Sequence, residues 1–371
     1  MAADIDTRQR IARLTPLDAV LDRIDALVAP VAPREVAIAA AAGRIVAGDV
    51  MVAARPPAAL ALRDGWALSA ALTQDAGPYA PAPLPAATRI DAGAPLPADA
   101  DAVAELDAVV VRDGCARAVA AVTSGDGVLP AGGDADGATA LVHDGRRLGA
   151  ATAAALAGVN LSRINIREPR LRVVRARPPG DPIIDAAAAL VGHAIAAAGG
   201  VALVGGEGLE DALRRQDADA VIAIGGTGSG SNDTSVTTLA HLGRLEAHGI
   251  ALAPGETAAF GMAGTRPVLL LPGRIDGALA VWLLVGEHLV ARLAASREEP
   301  AAVAAKLTRK VASNLGLAEL IPVRWRDREA EPLGSGYLPL QTIAQADGWI
   351  LVAADSEGHP EGTSVMVRPW P

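Results

Sequence analysis

In the stretch LTPLDAVLDRIDALV, apolar residues Leu17, Val20, Leu21, Ile24, Leu27 and Val28 recur at the spacing of one helical face, with Thr15 placed as N-cap and Pro16 at the first helical position. The spacing predicts an amphipathic helix. From about Ile45 to Asp144 that period disappears, and short apolar runs such as AVVV and ALV alternate with Pro and Gly clusters such as ARPPAAL and DAGAPLPADAD. This is the grammar of a β-rich module. From Arg170 the pattern changes again: strand LRVVRA, a helix from Asp185 to Ala198, strand GVALV, helix LEDALRRQ, strand AVIAI, a glycine loop, strand RPVLLLPG and a helix from about Asp276 to Ala295. Such alternation predicts a parallel sheet covered by helices, with ligands bound at the carboxyl ends of its strands. From Pro322 to Pro371, IPVRW, GWILVAA and SVMVRP read as short strands around the turn DSEGHPEGT. The fold class expected is therefore multidomain α/β plus β, with helical segments at 10–44 and 145–169, a β-rich domain at 45–144, an α/β domain at 170–305 and a small β domain at 315–371.

Composition narrows the function. The chain has 371 residues and a formal net charge of −9, which argues against a nucleic-acid partner, and it lacks the polybasic block an anionic membrane would select. A lone cysteine, Cys115, cannot form an internal disulfide, and no Cys/His cluster has zinc spacing. No apolar signal core opens the sequence, and no stretch reaches the roughly 20 uninterrupted apolar residues of a membrane span. A cytoplasmic protein acting on a small molecule is expected. Lysine occurs only as Lys306 and Lys310, while alanine is abundant, so motifs are blurred by drift toward Ala and Arg.

The loop Gly225-Gly226-Thr227-Gly228-Ser229-Gly230 is neither a Walker A sequence nor a dinucleotide fingerprint. It supports an anion or polar ligand near a strand end, against the plainer reading of a tight turn. Asp233 is suited either to a divalent cation or to capping the next helix, the commoner role. Asp64 in LRDGWAL and Asp134 in LPAGGDADG read singly as turn residues. The six histidines are scattered without metal-pair spacing. The arginines from Arg163 to Arg177 form a basic stripe, read as solvated linker and strand edge or, at Arg175 or Arg177, as partners for a phosphate.

Taken in order, these fragments resemble the molybdopterin molybdotransferase family, of the MoeA and gephyrin type, over nearly the whole chain. ALRDGWAL is similar to that family's SAMDGYAV, IDAGAPLPADADAV to ITGAPLPEGADAVV, LPAGGDADGATAL to RRGEDIKKGEVLL, and ADAVIAIGGTGSGSND to ADLVITSGGVSVGDYD. The segment ALAPGETAAFGMAGTRPVLLLPGRIDGAL follows MKPGKPLAFGRLGGKPVFGLPGNPVSAL in order and spacing. The resemblance implies a helical dimerising domain, a β-rich second domain, a central α/β molybdopterin-binding domain and a C-terminal β barrel. It also implies insertion of molybdate into adenylylated molybdopterin with release of AMP, aided by a divalent cation such as Mg2+. The glycine loop, with Asp181, Pro272, Gly273 and Arg274, would hold the pterin nucleotide. Asp64, Asp134 and Asp233 would be catalytic, with Asp64 and Asp233 on the metal. A homodimer is implied, with a cleft shared between subunits.

The departures from the family concern polar residues. Thr-Gly-Asp-Glu becomes Pro179-Gly180-Asp181-Pro182, the Ser-Asn after Asp185 becomes Ala186-Ala187, and the loop's Gly-Asp becomes Gly230-Ser231. Both lysines of KPGKP are replaced, by Ala253 and Glu256, and Pro-Gly-Asn-Pro becomes Pro272-Gly273-Arg274-Ile275. Each lost ammonium removes a charge-assisted hydrogen bond worth roughly 1.5–3 kcal/mol, which Arg274 and Arg177 could restore in part. Two readings follow: an enzyme with a reworked polar shell, or a non-catalytic binding or delivery module for a molybdoenzyme or another cofactor-synthesis protein.

Overall fold

The computed structural model describes residues 9–176 and 180–371. The chain divides into two compact units, one formed by 1–48, 144–154 and 162–371 and the other by 49–143 and 155–161.

The larger unit is built on a six-stranded sheet in the order Val201–Val204, Arg170–Arg175, Ala220–Ile224, Arg266–Leu271, Ala259–Ala263, Arg244–His248. The first four strands are parallel, as the alternating pattern predicts. The last two are antiparallel, so the sheet is mixed and not wholly parallel. Both faces are covered, and this is why AVIAI and VLLL are continuous apolar runs. Ala220, Ile222, Ile224, Leu269 and Leu271 face one core, with Ile184, Val191 and Ile195 of the helix Pro182–Ala197. Val221, Ala223, Val268 and Leu270 face the other, with Leu209, Leu213, Val236 and Leu239. Each fully buried Val, Leu or Ile side chain contributes about 1.5–3 kcal/mol.

The helix from Ile275 to Ala294 is long and apolar enough to cross a bilayer by length and composition, but 78% of its most apolar window is buried inside the fold. Its middle turn, Trp282–Gly286, is a π-helix. Near the C-terminus, Ala318–Arg326, Glu329–Pro332, Val303–Leu307, Ser364–Pro369 and Gly348–Val352 pair in sequence, and the last returns to the first. This closed five-stranded barrel has no free edge, and Leu307, Ile321, Val323, Ile350, Val352 and Val367 lie in its core.

The amphipathic helix forms at Leu17–Leu27, burying Leu17, Val20 and Ile24. Thr15 is not its N-cap. Thr15 and Pro16 instead pair in parallel with Ile250 and Ala251, so the cap position passes to Pro16, which has no side-chain cap bond. The segments 10–44 and 145–169 hold the further helices Ile38–Ala41 and Ala150–Gly158 and the strands Arg34–Ala37 and Arg163–Arg167, which form a three-stranded sheet with Ile45–Val46 just beyond them.

The second unit contains two three-stranded antiparallel sheets and a two-stranded ladder. Gly65–Leu68 lies between Thr88–Ile90 and Ala102–Ala104, and Cys115–Ala118 lies between Ala82–Leu84 and Val109–Arg112. Its small cores gather Leu68, Leu84, Val109 and Ala118 in one cluster and Ala61, Ile90 and Val103 in another.

Candidate functional site

Three neighbouring parallel strands, Arg170–Arg175, Ala220–Ile224 and Arg266–Leu271, end at the same edge of the sheet. The loops that follow meet there. Ala176 N donates to Ile224 O at 2.9 Å and Gly225 N to Leu271 O at 2.8 Å. A Cβ built on Gly273 would lie 3.3 Å from Gly225 Cα, so the glycines let the two loops touch backbone to backbone.

The carbonyl groups of the glycine loop are held one after another. Ser235 Oγ donates to Gly225 O, and Ser235 N to Gly226 O. Gln9, only 7% exposed, donates through Nε2 to Gly226 O at 2.5 Å and to Gly228 O at 2.7 Å. His248 Nε2 lies 3.3 Å from Thr227 O, an acceptor, so the imidazole must carry its proton on Nε2. Burial holds the His248 pKa below its usual 6.5. Gly226 sits at φ +70°, and a Cβ there would collide with Ser235 Oγ.

A trans peptide points its C=O and the following N–H in opposite directions. With the carbonyls of Gly226, Thr227 and Gly228 turned toward these donors, the N–H groups of Thr227, Gly228 and Ser229 face away from them. Among the described residues no hydrogen bond uses those three N–H groups. Successive N–H groups of this kind make an anion-binding concavity. The start of the helix Ser235–Leu242 makes no such offer. Its first free N–H groups, Val236 N and Thr237 N, both donate to Gln9 Oε1, at 3.0 and 3.2 Å.

Asp233 turns back on this loop, its Oδ2 accepting from Gly230 N at 3.0 Å and lying 2.7 Å from a Cβ that would be built on Gly228. Thr227, 2% exposed, bonds through Oγ1 to Thr257 Oγ1 at 2.9 Å. The segment bearing the lysine replacements Ala253 and Glu256 therefore leads directly to the glycine loop. Glu256 Oε2 accepts from Gly255 N. Asp181 is the N-cap of Pro182–Ala197, accepting from Ile183 N and Ile184 N. Arg175, at its strand's end, pairs with Asp185 at 2.6 Å, while Arg177 and Pro179 lie outside the described residues.

After Pro272 and Gly273, Arg274 pairs with Asp276 and stacks 4.3 Å over the ring of Tyr337, which is 62% exposed. Asp276 is buried and also accepts from Gly277 N and Leu338 N. Both arginines near the strand ends thus already carry a carboxylate partner.

In the second unit Asp64 is exposed and accepts from Ala92 N at 2.8 Å. Asp134 is exposed, and its backbone N donates to Arg55 O. Its neighbour Asp136 does the turn's work, accepting from Ala138 N, Thr139 N and Thr139 Oγ1. Among the described residues no group of three His, Cys, Asp or Glu side chains converges as a metal site. A hard cation here would need oxygen atoms from a ligand beside one or two carboxylates, a coordination usual for magnesium.

Sequence reasoning located the loop but missed its supports. Gln9 precedes every periodic segment and carried no signal. His248 and Thr257 lie beside apolar runs that drew attention to the strands instead.

The comparisons with known proteins agree with this architecture. The family described as MoeA N-terminal region (domain I and II) matches residues 15–160, the probable molybdopterin binding domain family matches 181–292, and the MoeA C-terminal region (domain IV) matches 304–370. The chain belongs to the MoeA-type family of molybdenum cofactor biosynthesis proteins. A protein of Methanocaldococcus jannaschii named for molybdopterin biosynthesis is 31% identical over 153 residues, a match spanning 40% of this chain and 36% of that protein. The crystal structure of a molybdopterin biosynthesis MoeA protein from Pyrococcus horikoshii superposes with a TM-score of 0.78 at 26% identity, covering 97% of this chain and 100% of that one. A molybdenum cofactor biosynthesis protein from Pyrococcus furiosus shares the fold at 18% identity and a TM-score of 0.62, over 96% of this chain and 100% of that one.

Proposed function

We propose that the chain binds adenylylated molybdopterin at the glycine loop and inserts molybdate into it with release of AMP. The observation carrying this reading is the row of N–H groups at Thr227, Gly228 and Ser229, set at the carboxyl edge of the sheet within the segment matched by the molybdopterin-binding family. Phosphate oxygens suit such donors, and Gly226, Gly228 and Gly230 reduce the number of Cβ atoms around them. Asp233 is placed at the loop to share a magnesium ion with those phosphates, with Asp64 and Asp134 supplied by the second unit of a partner chain in a cytoplasmic homodimer. Arg274, Gly273 and Pro272 bound the same edge, and Asp181 fixes the neighbouring helix.

With both family lysines absent and the Arg274 charge already shared with Asp276, substrate charge falls mainly to the loop dipoles and the cation, with Arg274 at the edge. Purified protein incubated with adenylylated molybdopterin, molybdate and magnesium should release AMP and yield cofactor able to reconstitute an apo-molybdoenzyme. Failure of both readouts, with ligand bound, would sink the reaction. Light scattering should report a dimer at micromolar concentration. The delivery-module reading has no observation of its own in its favour.

A further inference from the structure

We propose that Gln9 and His248 are positioning residues that set the ligand-binding face of the glycine loop, Gln9 acting from 217 residues away as a four-bond clamp. The inference rests on the ligand reading above and adds two residues to it.

The Gln9 amide uses all its strong capacity at this one place. Nε2 donates to Gly226 O and Gly228 O, and Oε1 accepts from Val236 N and Thr237 N. It caps the helix Ser235–Leu242, whose own N-cap residue Thr234 makes no side-chain cap bond. The same side chain turns two loop carbonyls inward. His248 supplies the donor for the carbonyl between them, Thr227 O. A glycine-rich loop has many conformations to lose, and an anion selects only those with its N–H groups convergent. Holding three consecutive carbonyls from outside removes that cost before the ligand arrives. Because Gln9 takes the N–H groups at the helix start, phosphate oxygens are directed to Thr227, Gly228 and Ser229.

The test uses inorganic pyrophosphate as the probe, titrated by calorimetry into the full chain. Gln9→Met and His248→Phe keep bulk and remove the donors without adding charge. Each should raise the pyrophosphate Kd about tenfold, equal to the loss of one good hydrogen bond's worth of preorganisation. His248→Gln, which restores an N–H donor, should recover most of that loss. The double variant should lose less than the sum of the two, since both act through one loop. Amide hydrogen exchange at Val236 and Thr237 should accelerate in Gln9→Met and stay native in His248→Phe.

Unchanged or tighter pyrophosphate binding by Gln9→Met overturns the proposal, because the amide would then be idle or an obstacle. So does unchanged exchange at Val236 and Thr237, whatever binds. If the unaltered protein binds no pyrophosphate while Gln9→Met still accelerates that exchange, the clamp stands and the ligand reading fails.

Discussion

The loop from Gly225 to Asp233 and the loop from Leu129 to Gly137 are both written in glycine, aspartate and small residues, yet they spend opposite halves of their backbone. In the first the carbonyls of Gly225, Gly226, Thr227 and Gly228 are taken by donors, two of them on the remote residues Gln9 and His248. Its N–H groups at Thr227, Gly228 and Ser229 are left over. In the second the N–H groups of Gly132, Gly133, Asp134 and Ala135 donate to Pro56 O, Pro130 O and Arg55 O, and Asp136 closes the turn on Thr139. What remains there is the exposed carboxylate of Asp134. One loop is left with backbone donors and the other with a carboxylate. Similar composition therefore carries opposite electrostatic sense, decided by which backbone groups are already paired.

The largest effect expected from breaking this contrast is at Gly226. Gly226→Val forces a β-branched residue to φ +70° with its Cβ against Ser235 Oγ, and urea denaturation should show a loss of about 3 kcal/mol with pyrophosphate binding abolished. Gly132→Ala, at φ +73° but with no Cβ neighbour closer than 3.6 Å, should lose only about 1–2 kcal/mol and leave binding intact. Equal losses at the two positions would show that both loops are ordinary turns.

Next in size is Asp276→Asn, in the first turn of the helix that begins at Ile275 beside the glycines. Asp276 is 3% exposed and accepts from Arg274, Gly277 N and Leu338 N, so the loss of charge should cost about 1.5–3 kcal/mol in the same denaturation assay. The Arg274–Tyr337 stack should loosen with it, visible as a change in tyrosine fluorescence.

A smaller, pH-dependent effect separates the fold from the loops. Arg215, joined by Arg172, holds the Asp217 carboxyl at about 2, below its usual 3.8. The folded-state value is the lower one, so this pair's stabilisation is complete above pH 3.8 and fades as pH falls toward 2. The urea midpoint should decline through that window, and Asp217→Asn should flatten the decline. An unaltered slope would remove this ion network from the acid response.

The smallest stability effects are expected at exposed carboxylates, where only ligand binding should respond. Asp64→Asn should weaken magnesium-dependent binding of AMP severalfold, while Asp136→Asn should leave it unchanged. Thermal midpoints should stay close to native in both. The reverse order of sensitivity would place the cation with the Asp136 turn.

Much of the fold was legible because its signals are local. The strands of the α/β sheet are apolar runs buried on both faces, whereas the helix expected from Asp185 to Ala198 forms at Pro182–Ala197, starting three residues earlier because Asp181, read as a ligand residue, is its cap. The antiparallel strands Arg244–His248 and Ala259–Ala263 were not, because RLEAH has little apolar periodicity and AFGMA is interrupted by glycine. Thr15 followed a sound capping rule, but pairing with Ile250 won. The glycine loop was legible as a feature, and its supports were not. A glycine loop after a strand marks itself, whereas no local pattern tells a buried glutamine's partner 217 residues onward.

The pairing of Thr15 and Pro16 with Ile250 and Ala251 gives the protein a birth order. On the ribosome Thr15 and Pro16 precede their hydrogen-bonding partners by some 230 residues, roughly 12–50 s at ordinary synthesis rates. Until then Thr15 and Pro16 lack their strand partner, although the partners of Gln9, from Gly226 to Thr237, are already made. The glycine loop emerges before His248, so the Thr227 carbonyl waits for its donor while the others can already be met. The loop's set of carbonyl donors is thus completed late, and a nascent chain stalled before His248 should lack the one on Thr227.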